Sequence, residues 1–446
     1  MLIKFFKIYL LILFFFGWGY LSATFGFFPF KLIDEPLRKF SEFATYEDAA
    51  DTNLVEKILN DLGLSDARHI AREAEKEGDK GRKFKKLTLP GSKASELLVF
   101  TTEATPAGYY FIQGSFNFDE SMHGVVLLNG KGELINAWSI SQEDEGLEIR
   151  DTNTYPHGLV VLKDGSLFSG FDNGNMAVKY NRCGERQLTI PGNINHSLAL
   201  LDQDYFWGIL QTELSFSLLK IDTSTGEVVK RIPVNDIIQA NPEIDIFGVY
   251  DGISPSRMER AEVLGGAVHP NDAEPLSEEL AGFFERFAAG DLLVSYRNPN
   301  LVFVLDPETL RVKWWRQGLV RKQHDPDYSV IDGKGYISVF DNNSYRGPSR
   351  IQLIDPLDYS ASILLDGAKT GFHSQTRGKH QVVDGRFVIV TASNQGKALM
   401  VDLQSGEIIF KTVNKRQKKS KRVISEMLYL PPDYFDPGVD FACGQS

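Results

Sequence analysis

The sequence predicts an all-β protein, a six-bladed β-propeller preceded by an N-terminal membrane anchor and a short helical spacer. From about Ser95 onward, short runs of β-branched and aromatic residues alternate with turn residues, and 39 Gly and 19 Pro in 446 residues suit many turns. Five of the eight histidines stand at the same place in this strand pattern, at spacings of roughly 40 to 75 residues. Hairpins of the form strand, Asp-initiated turn, strand also recur. Such repeats of short strands are typical of propellers.

Composition narrows the class of partner. A hydrophobic content of 42% indicates a globular chain, and a net charge of −11 argues against a general nucleic-acid partner. Two cysteines, Cys183 and Cys443, are too few for a disulfide framework or a cysteine-rich metal site. They form either one disulfide in an oxidising compartment or two unrelated thiols. Neither GxGxxG nor GxxxxGK[ST] occurs, so we predict no nucleotide cofactor.

Residues 1–30 are predicted to be a signal anchor. Residues 8–30 form an uncharged run. This run is longer than the roughly 20 apolar residues that a membrane-spanning helix needs. Lys4 and Lys7 form a short basic start, and Leu21-Ser22-Ala23 resembles a cleavage site. Because the apolar run continues beyond that site, we favour an uncleaved anchor over a cleaved signal peptide. We expect a single-pass inner-membrane protein whose propeller lies on the periplasmic side.

A helical spacer is predicted over residues 31–94. Residues 48–76 place apolar side chains at helical spacing, which indicates one or two amphipathic helices that form a spacer or a clamp beneath the main domain. His69 is expected on the surface of such a helix. The propeller is predicted over 95–430, and 431–446 form a C-terminal tail.

Six blade-sized units can be distinguished. They span residues 95–141, 155–190, 194–234, 266–318, 322–366 and 372–414. The first unit begins with LLVFTTE, and a later strand at 423–430 is expected to complete a blade. Residues 235–265 and 275–289 interrupt the period and are expected to cover a substrate on one face. The basic run 415–422 is interpreted as a solvated tip, with lipid binding as the alternative.

The five histidines in register are candidates for a common site. In a propeller the first strand of each blade lines the central channel, so residues at the start of these strands converge on one axis. The five are His157, His196, His269, His324 and His380. His123 and His373 lie outside this register, and His373 is interpreted as structural.

Three segments resemble the bacterial arylsulfotransferase family that does not use the nucleotide sulfate donor. They are VHPNDAEPL followed by GDLLVSYRNPNLVFVLDPETLRVKWW, then RKQHDPDYSVIDGKGYISVFDNN, then GFHSQTRGKHQVVDGRFVIVTAS. The resemblance covers roughly residues 150–425 and implies a six-bladed propeller with a histidine-lined funnel. It also implies ping-pong transfer of a sulfuryl group from a small aryl sulfate to a phenol through a sulfated histidine, with no cofactor and no metal.

The resemblance also implies roles for individual residues. His324 in QHDPD resembles the nucleophile, Arg297 in SYRNPN the sulfate-binding arginine, and His269 in VHPND a second funnel histidine. His196 matches the third funnel histidine, with His157 as a competitor for that match. Asn271, His157 and His380 are predicted to contact the substrate. The N-terminal β domain of characterised members is replaced here by the anchor and helices.

Imidazole suits this chemistry. Neutral histidine is a competent nucleophile near pH 7, and its attack on sulfur would divide the transfer into two steps. A protonated His269 or His196 could protonate the leaving phenoxide, and the guanidinium of Arg297 presents fixed donors to sulfate oxygens. Asp325 or Asp327 is expected to orient the ring of His324.

Two other functions fit parts of the pattern. Several histidines on one axis could bind a metal in a propeller hydrolase, although the carboxylates at the blade starts are few, namely Asp272, Asp325 and Asp327. The chain could also be a non-catalytic propeller that binds a partner or a glycan. The sequence identifies neither the physiological donor nor the acceptor.

Overall fold

The structure is a computed structural model. It describes residues 67–92, 95–118, 121–141, 155–172, 174–212, 215–244, 268–344, 346–416 and 422–441, together with Phe14, Trp18 and Cys443. The chain divides into two units, Met1–Gly63 and Leu64–Ser446. In the first unit, Phe14 and Trp18 are helical and their rings stack at 6.3 Å. The predicted anchor otherwise lies outside the described residues. Among the helices that are described, none is both long enough and apolar enough to cross a bilayer.

The described part of the second unit is mainly strands. In chain order they are β1 (Lys85–Thr88), β2 (Ser95–Thr101), β3 (Tyr109–Ser115), β4 (His123–Asn129), β5 (Leu134–Ile140), β6 (Tyr155–Val161), β7 (Leu167–Asp172), β8 (Met176–Tyr180), β9 (Arg186–Pro191), β10 (Asn193–Leu200), β11 (Tyr205–Gln211), β12 (Phe216–Asp222), β13 (Val228–Pro233), β14 (Pro270–Pro275), β15 (Leu292–Tyr296), β16 (Leu301–Leu305), β17 (Val312–Gln317), β18 (His324–Ile331), β19 (Lys334–Asp341), β20 (Arg350–Ile354), β21 (Ala361–Asp366), β22 (Lys379–Val383), β23 (Phe387–Ala392), β24 (Lys397–Asp402), β25 (Ile408–Arg416) and β26 (Ile424–Leu430).

These strands form the six antiparallel sheets of a β-propeller, which confirms the predicted all-β, six-bladed propeller. Blade one is β26-β3-β4-β5, blade two β6 to β9, blade three β10 to β13, blade four β14 to β17, blade five β18 to β21, and blade six β22-β23-β24-β25-β2-β1. The first strands contact one another in a closed ring that runs β6, β10, β14, β18, β22, β26 and back to β6. The six first strands therefore surround the axis.

Blade one differs from its predicted composition. The sequence predicts LLVFTTE in that blade, but β2 pairs with β25 in blade six, from Ser95 opposite Arg416 to Thr101 opposite Phe410. The inner strand of blade one is β26, which confirms that 423–430 completes a blade. Pairing partners that lie some 300 residues apart leave no local signal, so the sequence did not distinguish the two arrangements. The ring is closed by strands from both ends of the chain.

The predicted Asp-initiated hairpins are present at the outer edge of the blades. The carboxylates of Asp222, Asp306 and Asp355 each accept the backbone N–H two residues ahead at 2.8 Å, and that of Asp402 does so at 2.9 Å. Such a local bond replaces a backbone turn contact and nucleates the hairpin. In blades one and two, asparagines take the same place: Asn129 and Asn181 each accept at 2.9 Å.

The core lies between the blades. Six apolar clusters are present among the described residues, and each joins two neighbouring blades. Trp207 packs between blades three and four, and Trp314 between blades four and five. Trp315, the next residue, is 41% exposed, since successive side chains of a strand point to opposite faces.

Four helices accompany the strands in the described chain: α1 (Ala67–Gly78), α2 (Val234–Ala240), α3 (Glu278–Ala281) and α4 (Gly367–Thr370). Helix α1 is tied to blade six, because Glu75 pairs with Lys397 at 2.9 Å and with Lys411 at 3.0 Å. His69 is exposed on this helix, as predicted. Residues 31–66 of the predicted spacer lie outside the described residues.

One of the two segments predicted to cover the substrate lies on the face of the propeller opposite to the histidines. Residues 276–291 join β14 to β15 at the end of β14 opposite to His269, and they pack near Gly335 at the β18–β19 hairpin. His269 stands at one end of β14 and this segment begins at the other end. The segment therefore does not cover the histidines. Residues 245–267 lie outside the described residues. Cys183 and Cys443 form a disulfide, which decides the alternative that the sequence left open.

Candidate active site

A β-bulge stands at the start of most inner strands. The strand register shifts between Pro156 and Leu159 in β6 and between Asn195 and Leu198 in β10. Equivalent shifts occur between Pro270 and Asp272 in β14, and between His324 and Pro326 in β18. A bulge places two residues opposite one and re-aims the side chain next to it. The bulges therefore coincide with four of the predicted histidines.

The bulges turn two successive side chains toward the axis. In β10 the backbone is left-handed at His196, with φ of 67°, a conformation that histidine tolerates better than most residues. His196 contacts His269 of blade four, whereas the next residue, Ser197, contacts Lys379 of blade six. His269 (φ 49°) and Asp325 (φ 52°) are also left-handed. Simple strand alternation would have sent one of each neighbouring pair away from the channel.

Three histidines form a row. The ring centroids of His157 and His196 are 5.1 Å apart, and those of His196 and His269 are 5.0 Å apart. The two Nε2 atoms of His196 and His269 lie 3.2 Å apart. One of these nitrogens must donate and the other accept, so the two rings share a proton. Both candidates for the third funnel histidine, His196 and His157, belong to this row, and the choice between them stays open.

All members of this cluster are neutral at pH 7. Burial lowers the pKa of His196 and His269 to about 3, with further lowering by Arg297. Burial likewise holds the pKa of His157 and His324 well below its usual value, helped by the charge of Arg377 for His157 and of Arg297 for His324. Neutral imidazoles carry the lone pair that a nucleophile requires.

The orientation of His324 is set by Asn342. His324 Nδ1 lies 2.6 Å from Asn342 Oδ1, and Asn342 Nδ2 donates to the carbonyls of Ser374 at 2.8 Å and Arg377 at 2.5 Å. Because the amide nitrogen faces two acceptors, the oxygen must face the histidine, and Nδ1 must carry the proton. The lone pair of His324 is therefore on Nε2. The prediction that Asp325 or Asp327 orients this ring is wrong.

Arg297 and Asn271 lie beside the histidines. The backbone N–H of Arg297 donates to the carbonyl of His269 at 3.0 Å, and its guanidinium donates to Asn298 at 3.3 Å. Asn271 Nδ2 donates to the carbonyl of Gln323 at 2.7 Å, directly before His324. The Oδ1 atom of Asn271 is buried and, within the described residues, has no hydrogen-bond partner. Both residues therefore lie next to the histidines, and their contacts with substrate stay predictions.

Arg377 is a site residue that the sequence analysis missed. Its backbone N–H donates to His324 Nε2 at 3.2 Å, and its guanidinium lies 3.4 Å from the ring centre of Tyr155. The hydroxyl of Tyr155 is hydrogen-bonded to Asp172, whose carboxylate is 4.0 Å from His157 Nδ1. The positive charge of Arg377 also lowers the pKa of His157 and His196. The sequence feature that could have indicated this residue is its position, since Arg377 stands three residues before His380, one of the five histidines in register.

His380 lies apart from the row. Its Nδ1 is 2.9 Å from Asp325 Oδ2 and its Nε2 is 2.7 Å from Ser338 Oγ, so both ring nitrogens are engaged with protein groups. A contact between His380 and substrate stays a prediction, and this geometry does not favour it. His373 bonds to Ser349 Oγ at 3.2 Å, in keeping with a structural role.

A metal fits poorly here. Asp325, Asp327 and His380 bring ligand atoms within 4.8 Å of one another. However, Lys379 Nζ lies 2.6 Å from Asp325 Oδ1, and His380 Nδ1 binds the other oxygen. A buried ammonium group at this distance repels a cation and already neutralises the carboxylate. The hydrolase alternative therefore gains no support from these residues.

Part of the chain matches a known family model. Residues 210–415 match the model of the arylsulfotransferase (ASST) family, a range that includes His269, Arg297 and His324. A comparison with curated proteins finds none that matches this chain.

Solved structures resemble the chain only weakly. A protein of unknown function from Bacteroides caccae has a TM-score of 0.47 at 11% identity, over 73% of this chain and 99% of that chain. Virginiamycin B lyase from Staphylococcus aureus has a TM-score of 0.36 at 10% identity, over 64% and 87%. AztD from Citrobacter koseri has a TM-score of 0.34 at 10% identity, over 72% and 98%. Similarities at this level carry no argument about function.

Proposed function

Because residues 210–415 match the model of the arylsulfotransferase family, we propose that the chain moves a sulfuryl group from an aryl sulfate to a phenol by a ping-pong mechanism, with His324 as the nucleophile. The observation that supports this role is the hydrogen bond between His324 Nδ1 and Asn342 Oδ1 at 2.6 Å. It leaves a neutral ring with its lone pair on Nε2, which is the state a histidine nucleophile needs.

In the first step Nε2 of His324 attacks sulfur. The new bond is N–S, and the S–O bond to the aryl group breaks, so a phenoxide leaves. At rest the Nε2 lone pair accepts the Arg377 N–H at 3.2 Å. We expect the bound sulfate to take over that N–H, since a sulfate oxygen is also an acceptor. The sulfated ring carries a positive charge, and Asn342 Oδ1 continues to accept its Nδ1–H.

Positive charge stabilises the transferring group. The guanidinium groups of Arg297 and Arg377 lower the pKa of neighbouring histidines, which means that their field reaches the site. Donors already in place for developing negative charge are the largest contribution in many transfer reactions. Arginine also binds oxyanions through paired N–H groups. We assign sulfate binding to these two residues.

The His196–His269 pair transfers protons to the leaving phenoxide and from the acceptor phenol. At rest both are neutral, but a bound anionic sulfate favours their protonated form, because opposite charges raise a histidine pKa. The pair then gives its proton to the leaving phenoxide. In the second step it takes the proton of the acceptor phenol, whose oxygen attacks sulfur while the N–S bond breaks. His324 returns to its neutral state. The pair takes up one proton from water when the sulfate donor binds and releases one when the sulfated product leaves, so the atoms balance over the cycle.

Intact-mass spectrometry tests the proposal. Purified protein incubated with 4-nitrophenyl sulfate and no acceptor should gain one SO3 group on the peptide that contains His324, and phenol should remove it. His324→Asn should abolish the gain, whereas His123→Asn, at a half-buried histidine outside the site, should not. Sulfation that persists in His324→Asn would contradict the assigned nucleophile. Absence of both sulfation and nitrophenolate release would favour the non-catalytic propeller instead.

A location outside the cytoplasm is also proposed. The disulfide between Cys183 and Cys443 supports it, because disulfides persist in oxidising compartments. The uncharged run of residues 8–30 is of the kind that directs export. Alkaline phosphatase fused after residue 446 should be active in cells, since that reporter folds only outside the cytoplasm. An inactive but full-length fusion would contradict the location.

A further inference from the structure

We propose that Lys379 is a positioning residue, which joins the inner strands of four blades directly below the histidines and sets the spacing of the active site. Its ammonium group donates to Ser197 Oγ at 3.0 Å and contacts Asp272 Oδ2 at 3.2 Å and Asp325 Oδ1 at 2.6 Å. These partners belong to blades three, four and five, while Lys379 begins β22 of blade six. One side chain thus links its own sheet to three others.

Each partner is the immediate neighbour of a site residue. Ser197 follows His196, Asp272 follows Asn271, and Asp325 follows His324. Lys379 itself comes two residues after Arg377. Bulges at three of these positions direct both neighbours to the axis, so that one side chain faces the site and the next reaches Lys379. Movement of the ammonium group would therefore be transmitted to the adjacent site residue through one peptide unit.

The blades need such a connection. Within the described residues their sheets share no ladder hydrogen bonds, and neighbouring blades are held mainly by apolar clusters, with single side-chain bonds such as that from Asn271 to Gln323. Apolar packing is not directional, so it fixes distance better than register. Hydrogen bonds are directional, and an ammonium group has three donors, which match the three acceptors here. Lys379 therefore supplies geometry that the apolar interfaces do not.

Charge makes the contact rigid. Lys379 is 7% exposed. Burial disfavours its charged form, but Asp272 and Asp325 outweigh that effect and raise its pKa well above the usual value. The acidic groups Glu274, Asp327 and Glu426 also act on this cluster. Without the ammonium group, Asp272 and Asp325 would repel each other across the boundary between blades four and five.

The first measurement does not depend on the proposed function. Protein labelled with 15N-histidine is compared by NMR as wild type and Lys379→Met, both without substrate. We expect the ring signals of His196 and His324 to shift or broaden and that of exposed His69 to stay in place. Lys411→Met is the matched control, because Lys411 is a buried lysine between two carboxylates, Glu75 and Asp79 at 3.0 and 2.7 Å, away from the site. Its spectrum should keep the site signals. Site signals that are the same in wild type and Lys379→Met would overturn the inference.

The second measurement rests on the proposed function. Lys379→Met should lower kcat for sulfuryl transfer about 100-fold while KM changes less than about threefold, since misplacement of about 1 Å costs roughly that factor. Lys379→Arg, which retains the charge, should recover part of the loss. Lys411→Met should leave kcat unchanged at temperatures where it is folded. Equal losses in both Met variants would reduce Lys379 to a structural role and overturn the inference.

The two measurements distinguish failure of the proposed function from failure of the positioning role of Lys379. If wild type shows no turnover but Lys379→Met changes the histidine signals, the proposed function is wrong and the positioning role stands. If Lys379→Met does not fold, Asp272→Asn is the variant to measure, because it removes the charge of one partner and keeps the ion pair of Lys379 with Asp325. That variant should shift the His269 and His324 signals and lower kcat about tenfold, and unchanged signals would overturn the inference.

Discussion

His324 Nδ1 and Asn342 Oδ1 lie 2.6 Å apart, at the two ends of one hairpin, and the Asn342 amide is held by two carbonyls from the neighbouring blade. The asparagine therefore selects the tautomer of the proposed nucleophile. This is the function that a buried aspartate performs for the histidine of a serine protease triad.

Asn342→Ala should slow transfer without loss of the fold. With no acceptor at Nδ1 the ring can adopt the other tautomer or rotate, so we expect kcat to fall about 100-fold. Initial rates with 4-nitrophenyl sulfate and phenol measure this. Asn343→Ala is the control, since Asn343 is buried in the same turn but donates to the Pro348 carbonyl. Equal effects of the two substitutions would show that the turn, and not the tautomer, is at issue.

The His196–His269 pair should act as one unit. Because their Nε2 atoms are 3.2 Å apart, removal of either ring ends proton transfer through the pair. His196→Ala and His269→Ala should each slow transfer about 100-fold, and the double variant should be little worse than either. The loss should be larger for phenyl sulfate than for 4-nitrophenyl sulfate, whose leaving group needs less protonation. Additive losses, or equal losses for both donors, would argue against proton transfer by the pair.

His373 makes stability depend on pH. Burial lowers its pKa to about 3, whereas the unfolded chain takes up the proton near pH 6.5. Its contribution is therefore fully present above pH 6.5 and is lost as the pH falls toward 3. Relative to His373→Gln, wild type should lose about 2 kcal/mol of unfolding free energy between pH 7 and pH 5. Urea unfolding at fixed pH measures this, and a difference that does not vary with pH would contradict it.

The disulfide should hold the tail to the propeller. Cys183 and Cys443 are 260 residues apart, and the segment before Cys443 packs Phe435 and Phe441 into the cluster between blades one and two. Replacing both cysteines by serine should lower the free energy of unfolding by about 3 kcal/mol. Reduced wild type should behave like the double variant, and hydrogen exchange should rise first near Tyr434. Protection near Tyr434 that survives reduction would contradict this account.

Local patterns predicted much of the fold. The Asp-initiated hairpins could be predicted because an Asx bond spans two residues, as at Asp222 and Asp402. The histidines at the start of the inner strands could be predicted from their recurrence. His380 showed the limit of that approach, because it stands in the sequence pattern but lies against Asp325 and Ser338, apart from the row. The depth of a side chain along the channel depends on β-bulges, each of which shifts the strand register by one residue. Amino-acid composition does not show where such a bulge occurs.

From the sequence alone one can derive six repeated units, the histidines of their inner strands and the likeness to sulfotransferases, because each is carried by neighbouring residues. Only the folded chain assigns Asn342 to His324 and Lys379 to Ser197, 182 residues away. It alone places Arg377 at the site and closes the ring with β26 and β2. These contacts depend on how separate sheets meet around an axis, where residues from distant parts of the chain become neighbours. The local sequence does not predict these contacts, because the blades of a propeller come together by packing and the contacting residues are far apart in sequence.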